Sequence, residues 1–292
     1  MPTVGPVLVV YLFWTRFWYI SALYLLWVVY DNRTGANGGR TAKYVNHFRS
    51  LSVWRPLKSY FPHRLHKTVD LDPKKNYLLC CHPHGLLSVG IYGALSLDGG
   101  TEDSWPALFP GIFQRIGVLR SVSRWPVFRE YILIHGGVEV NAESMKRVLG
   151  APQGGVALSV IIGGASEAAF ADGDPRKVTL TLANRKGFVR IALKTGTPLV
   201  PVFTFGETSV FTVYKPKEDS LLGRFQIWWK RRTGILFPMF RVGAPINVQQ
   251  SEDPSREEVD ALHAVYIEEL RKLFDSNKTR FGMDANAQLV LV

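Results

Sequence analysis

Cysteine is almost missing from this chain: there are two, Cys80 and Cys81, and they are adjacent. Neighbouring cysteines cannot cross-link distant segments, so a disulfide scaffold is excluded and a reducing compartment is the simpler setting. A zinc centre fares little better. Cys80, Cys81, His82 and His84 crowd together, strand alternation turns Cys81 away from the others, and no second Cys/His pair lies elsewhere. Acid is missing between Val4 and Tyr30, where Arg16 carries the sole charge. After Tyr30 no further long apolar run occurs, nor any internal repeat, low-complexity linker or nucleic-acid recognition motif.

What is present begins with that apolar N-terminus. It is too long and too aromatic for a signal-peptide core, and no small-residue cleavage site follows. About 20 apolar residues span a bilayer. One helix from Val7 to Tyr30 would place Arg16 near the midplane, at roughly 2.5–3.5 kcal/mol. A hairpin with Arg16 at its tip avoids that cost. Residues 1–30 are therefore expected to form a membrane-embedded helix or hairpin. The chain then turns basic, with Arg33, Arg40, Lys43, Arg49, Arg55, Lys58, Arg64 and Lys67. This asymmetry sets the following residues on the cytosolic side, and the cluster suits anionic head groups. The formal charge of +11 points the same way, towards an anionic surface or a phosphorylated ligand.

Within this basic region, 31–75, Tyr44, Phe48, Leu51 and Trp54 recur at helical spacing, which predicts a helix, lying in the interface or packed on the domain core, stopped by Pro56. From Asn76 strand and helix alternate. Tyr77–Cys81 and Val156–Ile162 read as buried strands, Val178–Leu182 as a further strand, and Leu86–Leu97 and Lys186–Thr195 as helices. Leu199–Phe205 reads as a strand, irregular or at an edge because Pro201 lies inside it. Asp253-Pro254 caps a final helix striped by Val259, Leu262, Tyr266, Leu270 and Leu273. The expectation is an α/β fold with a mixed, mainly parallel sheet flanked by helices, over residues 76–292.

His82-Pro83-His84-Gly85 leaves the first of these strands at its carboxyl end, where α/β folds place ligands. An imidazole there can take a proton from a hydroxyl near neutral pH. Gly163-Gly164-Ala165-Ser166-Glu167 is a second strand-end turn, with small residues for close approach and a carboxylate able to orient an imidazole. Ser166 lacks the spacing of a nucleophile elbow. Arg185 and Lys186 open a helix, which suits a phosphate.

Taken together these pieces resemble the type 2 diacylglycerol acyltransferase family, which includes monoacylglycerol and wax-alcohol acyltransferases. The resemblance rests on the apolar segment followed by Gly38-Gly39-Arg40, on Tyr60-Phe61-Pro62, and on His82-Pro83-His84-Gly85. Arg129-Glu130 ahead of Gly136-Gly137, the Gly163–Ala168 turn, the long block Arg185–Glu207 and Asn277–Gly282 complete it, covering nearly the whole chain from Thr15. It implies a glycerolipid-acyltransferase-like fold and transfer of an acyl group from acyl-CoA to a lipid hydroxyl. Diacylglycerol is the first acceptor, with monoacylglycerol or a long-chain alcohol as alternatives. His84 would be the general base, His82 its neighbour and Glu167 its orienting acid. Gly85, Gly163, Gly164 and Ala165 would line the substrate and oxyanion site, and Arg185, Lys186 and Arg190 would hold the CoA phosphates. The resemblance implies no metal and no permanent cofactor. It also implies membrane lipids and acyl-CoA as partners, with room for a homo-oligomer but no role for nucleic acid. It places the chain at the endoplasmic reticulum membrane, catalytic domain to the cytosol, with lipid droplets as a second destination. One departure stands out: Trp228–Ile246 is shorter than the family's stretch, which narrows the acceptor pocket or marks a catalytically silent lipid-binding member.

Overall fold

The structure is a computed structural model that describes residues 4–60, 64–85, 88–164, 166–167, 177–208, 239–242 and 244–292. The strands are β1 (Leu65–Lys67), β2 (Tyr77–His82), β3 (Phe113–Val118), β4 (Gly137–Glu139), β5 (Val156–Ile161), β6 (Lys177–Leu180), β7 (Leu199–Phe205), β8 (Met239–Val242) and β9 (Gln288–Leu291). The α-helices are α1 (Val4–Phe13), α2 (Trp18–Tyr30), α3 (Ala42–Arg49), α4 (Arg55–Tyr60), α5 (Val89–Ser96), α6 (Trp105–Leu108), α7 (Phe128–Ile134), α8 (Ala142–Leu149), α9 (Gly187–Thr195) and α10 (Arg256–Asp275).

Seven strands form one sheet in the order β1-β8-β7-β2-β5-β3-β4. The five from β7 to β4 run parallel, whereas β8 is antiparallel to β7 and β1 follows β8. β6 and β9 pair in a separate parallel ribbon. All six residues of β2 and all seven of β7 are buried, as continuous apolar runs between two helical layers require. On one face Leu78, Cys80, Leu158 and Phe203 pack with residues of α8, α9 and α10. On the other, Leu79, Cys81 and Val202 pack with Ile91, Leu95 and Trp105. The mixed α/β expectation therefore holds, with the central strands in place.

Pro201 sits in the sheet interior rather than at an edge. Its strand tolerates it because the antiparallel pairing breaks there. Leu199 exchanges both hydrogen bonds with Ile246, and the ladder resumes at Val202↔Val242. Pro201 points its nitrogen the way Leu199 does, into that break, where no donor is called for. Two helix boundaries also differ from expectation. The helix expected to run to Pro56 ends at Arg49, and Pro56 occupies the first turn of a new helix, α4, where its missing N–H costs nothing. The last helix is capped by Ser255 in a reciprocal box with Glu258, not by Asp253-Pro254.

The N-terminal segment is two helices joined by a turn that carries Arg16, and the Ser21 hydroxyl bonds the Val9 carbonyl across them at 3.0 Å. A single helix from Val7 to Tyr30 is overturned: among the described residues, no helix is long and apolar enough to cross a membrane. The hairpin leans on the domain where Gly5 meets Pro126 and Tyr24 accepts the Val127 N–H. Past it, Asp31 accepts from Arg40 at 2.7 Å and from Arg129 at 2.6 Å, and Arg129 is almost wholly buried. The basic cluster does not all face outward. Arg49 is buried, bonding the Gln114 and His135 carbonyls, and burial lowers its pKa to about 9. Lys58 is buried on Thr101 and Asp103.

Candidate active site

Parallel strands that share a direction also share a carboxyl edge. Three neighbours, β5, β2 and β7, end together, so the described residues after each converge: Gly163, Gly164 and Glu167, His84-Gly85, and Gly206-Glu207. This is the edge at which an α/β sheet offers a site.

His84 is partly buried. Its Nδ1 lies 2.9 Å from the Gly85 carbonyl oxygen. A carbonyl only accepts, so Nδ1 carries the proton and Nε2 presents its lone pair. Burial lowers the pKa of the ring, and the Gly85 carbonyl opposes that. The ring is thus neutral near pH 7, as a base must be. Gly85 turns at φ +57°, and the Ser88 hydroxyl bonds the His84 carbonyl at 2.9 Å, which fixes the loop.

Glu167 is buried beside it, in space that Gly163 leaves open; a Cβ on Gly163 would overlap the carboxylate. Oε2 accepts the His84 backbone N–H at 2.7 Å and Oε1 accepts the Thr181 N–H at 2.9 Å. Burial raises the Glu167 pKa to about 7, while the two backbone donors and Arg185 hold it down. The expected contact between this carboxylate and the imidazole is replaced by one to the peptide: Glu167 holds the main chain of His84, not its ring.

His82 differs more. It is fully buried, with Nε2 2.9 Å from the Tyr266 hydroxyl, and it faces the core with Cys80. Tyr266 donates to the Cys80 carbonyl at 3.3 Å, so His82 donates from Nε2. Burial lowers its pKa to about 3. The two imidazoles therefore do not work side by side: His82 closes the core, and His84 lies partly buried in the loop past the strand end.

Glu207 escaped the sequence reading. It is fully buried, and neither carboxyl oxygen has a hydrogen-bond partner among the described residues. Burial raises its pKa far above the ordinary range, so it is protonated. It packs against Gly85, where a Cβ would overlap its carboxyl group. The available signal was its place: an acid two residues past a seven-residue apolar strand, level with the histidine loop. A buried carboxyl without a partner asks for an explanation in terms of function.

Among the described residues no hydrogen bond is made by the Gly163 or Gly164 N–H, and a Cβ on Gly164 would meet nothing within 4 Å. Ala165 lies outside the described residues. Arg185 bonds the Ser166 hydroxyl at 3.3 Å, Lys186 is paired with Asp260 at 2.7 Å, and Arg190 is exposed on α9. Lys186 is thus already committed. No group of three or more His, Cys, Asp or Glu side chains converges as metal ligands would among the described residues. Most of Trp228–Ile246 lies outside them.

Known proteins resemble this chain along nearly its whole length. A family model described as diacylglycerol acyltransferase matches residues 10–242 and 240–292. The chain is 37% identical to 2-acylglycerol O-acyltransferase 1 of Bos taurus, over 97% of this chain and 88% of that one. It is 36% identical to diacylglycerol O-acyltransferase 2 of Danio rerio, over 97% and 82%. It is 34% identical to acyl-CoA wax alcohol acyltransferase 2 of Homo sapiens, over 95% and 87%. The histidine loop, the glycine turn with its glutamate and the strand before Glu207 all fall inside these matches, and the chain belongs to the diacylglycerol acyltransferase family.

Proposed function

We propose that this protein transfers a fatty acyl group from acyl-CoA to a lipid hydroxyl, with diacylglycerol as the first acceptor and monoacylglycerol or a long-chain alcohol as alternatives. The observation that carries the reading is the His84 imidazole. It is neutral, held in one tautomer by Gly85, and placed just past the carboxyl end of a central strand in a chain of this family.

The chemistry follows from that tautomer. The acceptor hydroxyl gives its proton to His84 Nε2 as its oxygen attacks the thioester carbonyl carbon. The Gly163 and Gly164 amides supply donors for the oxygen that becomes negative. Collapse breaks the carbon–sulfur bond, and the thiolate takes the proton back from the imidazolium. No covalent acyl-enzyme is needed, because the thioester is already activated. Glu167 keeps the His84 main chain in place through this cycle, and Glu207 keeps Gly85 in place from behind.

The apolar hairpin supports a membrane setting. Val7, Tyr11, Trp14, Leu23, Leu26 and Tyr30 are all well exposed, a face that water does not favour. We read residues 1–30 as embedded in one leaflet, 31–75 as a basic connection at the interface, and 76–292 as the cytosolic acyltransferase domain. The endoplasmic reticulum, with lipid droplets, fits an enzyme whose acceptor dissolves in the bilayer. Its fold as a glycerolipid-acyltransferase type and any self-association belong to the same reading. The test is incubation of membranes carrying the full chain with labelled oleoyl-CoA and a panel of diacylglycerol, monoacylglycerol and long-chain alcohols. A labelled neutral lipid is the expected product. Label appearing in none of them, with the protein present, would sink the reading, and label in free fatty acid would make the protein a hydrolase.

A further inference from the structure

Away from the histidine loop, the loop following α2, the turn following β3 and the start of α8 enclose a cleft of about 640 Å³. Four arginines from these three segments line it: Arg33, Arg120, Arg124 and Arg147. Two glutamates, Glu139 and Glu143, also line it, which leaves a surplus of two positive charges. Both glutamates are engaged. Glu139 is buried, accepts from the Ser123 hydroxyl at 2.9 Å and stands 3.9 Å from Arg120. Glu143 lies 3.5 Å from Arg147. Arg33 and Arg124 have no carboxylate partner among the described residues.

With Arg120 and Arg147 each beside a glutamate, Arg33 and Arg124 leave positive charge in the cleft that a bound anion would offset. Guanidinium groups suit one class of anion above others: their planar donors match the oxygens of phosphate in pairs. The acceptors proposed above are uncharged, so the cleft is not built for them. It is also too large for a single small ion. Its position adds two constraints. Glu139 and Asn141, at the end of β4, share the carboxyl edge with His84, and three strand spacings separate β4 from β2. At about 4.8 Å each this is about 14 Å, the reach of an extended ligand arm. Asn32 and Arg33 come directly after the apolar hairpin, at the level where head groups would lie if the hairpin is embedded.

We propose that this arginine cleft binds a phosphate ester, from either of two sources: the nucleotide end of acyl-CoA or the head group of an acidic phospholipid. The first source rests on the acyltransferase reading, and the second on the embedded hairpin. The test uses the full chain in detergent or bilayer discs, comparing wild type with Arg33→Gln/Arg124→Gln and with a surface control, Arg256→Gln/Arg271→Gln. One arm titrates CoA. The other measures co-flotation with phosphatidylcholine vesicles, with and without phosphatidate. The cleft variant should weaken one probe by about thirtyfold, roughly the effect of two arginines at a charged surface, while the control stays near wild type. Loss of CoA binding identifies the nucleotide source, and loss of the phosphatidate-dependent part of flotation identifies the lipid. Wild-type behaviour of the cleft variant in both arms, equal loss in the control, or binding of neither probe by wild type would each overturn the proposal. All are read without turnover, so a failed acyl-transfer assay is a separate result.

Discussion

The Glu167 carboxylate accepts the backbone N–H of His84 at 2.7 Å while its other oxygen accepts from Thr181 at 2.9 Å. Both contacts want the ionised form, yet burial raises the pKa to about 7. Below that pH one oxygen gains a proton and meets an N–H that it can no longer accept. Turnover should therefore fall as pH drops through about 7, before His84 itself is protonated, because the pKa of His84 lies below its ordinary value. For stability the sign is opposite. A raised carboxyl pKa contributes stability below the ordinary range, which is lost as pH rises through about 7. In Glu167→Gln the turnover limb near pH 7 should vanish and leave the lower one. A pH profile of kcat decides this, and an unmoved limb would sink the assignment.

Replacing His84 by Ala removes the proton acceptor. Turnover should drop by ~10²–10⁴-fold, with expression and membrane association unchanged. Near-normal acyl transfer by that variant would take His84 out of the mechanism.

Glu207 is held protonated by burial. The unfolded chain would ionise, so the fold loses about 1.4 kcal/mol for every pH unit above the ordinary carboxyl range. Glu207→Gln should therefore raise the melting temperature, more at pH 8 than at mildly acid pH, and should keep most of the activity. Glu207→Ala should cut kcat at least tenfold, because Gly85 and the His84 tautomer lose their backing. Equal activity in the Ala and Gln variants would mean that the contact with Gly85 plays no part.

His82 predicts acid sensitivity. Its pKa is lowered to about 3, so between its ordinary value and that point the unfolded chain binds a proton that the fold refuses. The contribution of this ring should fall by about 1.4 kcal/mol per pH unit across this window, against the opposite slope of Glu167 and Glu207. Tyr266→Phe, which strands the His82 donor, should cost a further ~1–3 kcal/mol. Urea midpoints of wild type and His82→Gln, compared from neutral to mildly acid pH, isolate this contribution; the same pH slope in both would contradict the burial of this ring.

Asp31 joins the hairpin to the domain. Burial pushes its pKa up, but hydrogen bonds from Thr34, Arg129 and Arg40 outweigh that and leave it below the ordinary range. Its contribution is present above the ordinary carboxyl range and is lost as pH falls through the depressed value. Asp31→Asn removes one of the two carboxylates on the buried Arg129, leaving Glu130, and should cost about 1–3 kcal/mol at neutral pH. Thermal unfolding reads this directly, and a change below 1 kcal/mol would show that the network is not essential.

The central strands, the helix stripes and the histidine loop were legible because each is a local pattern. Val156–Ile161 is an apolar run broken only by Ser159, Lys186 and Gly196 bracket a helix, and Gly85 exits a strand. The family resemblance was equally local, resting on short blocks in order. Pro201 misled because its permission comes from a break between Val242 and Ile246, in a partner segment far along the chain. The placement of His82 and His84 misled because strand alternation assigns both one side, while only coordinates show Tyr266 covering the first.

The sequence alone thus determined which elements form and which residue types stand at the strand ends, since periodicity and turn chemistry act over a few residues. Tertiary structure decided which carboxyl group serves which atom. Glu167 reaches a peptide N–H, Glu207 fills the space behind a glycine, and four arginines from three segments meet at one cleft. Burial and charge are properties of surroundings, and those surroundings come from residues scores of positions apart.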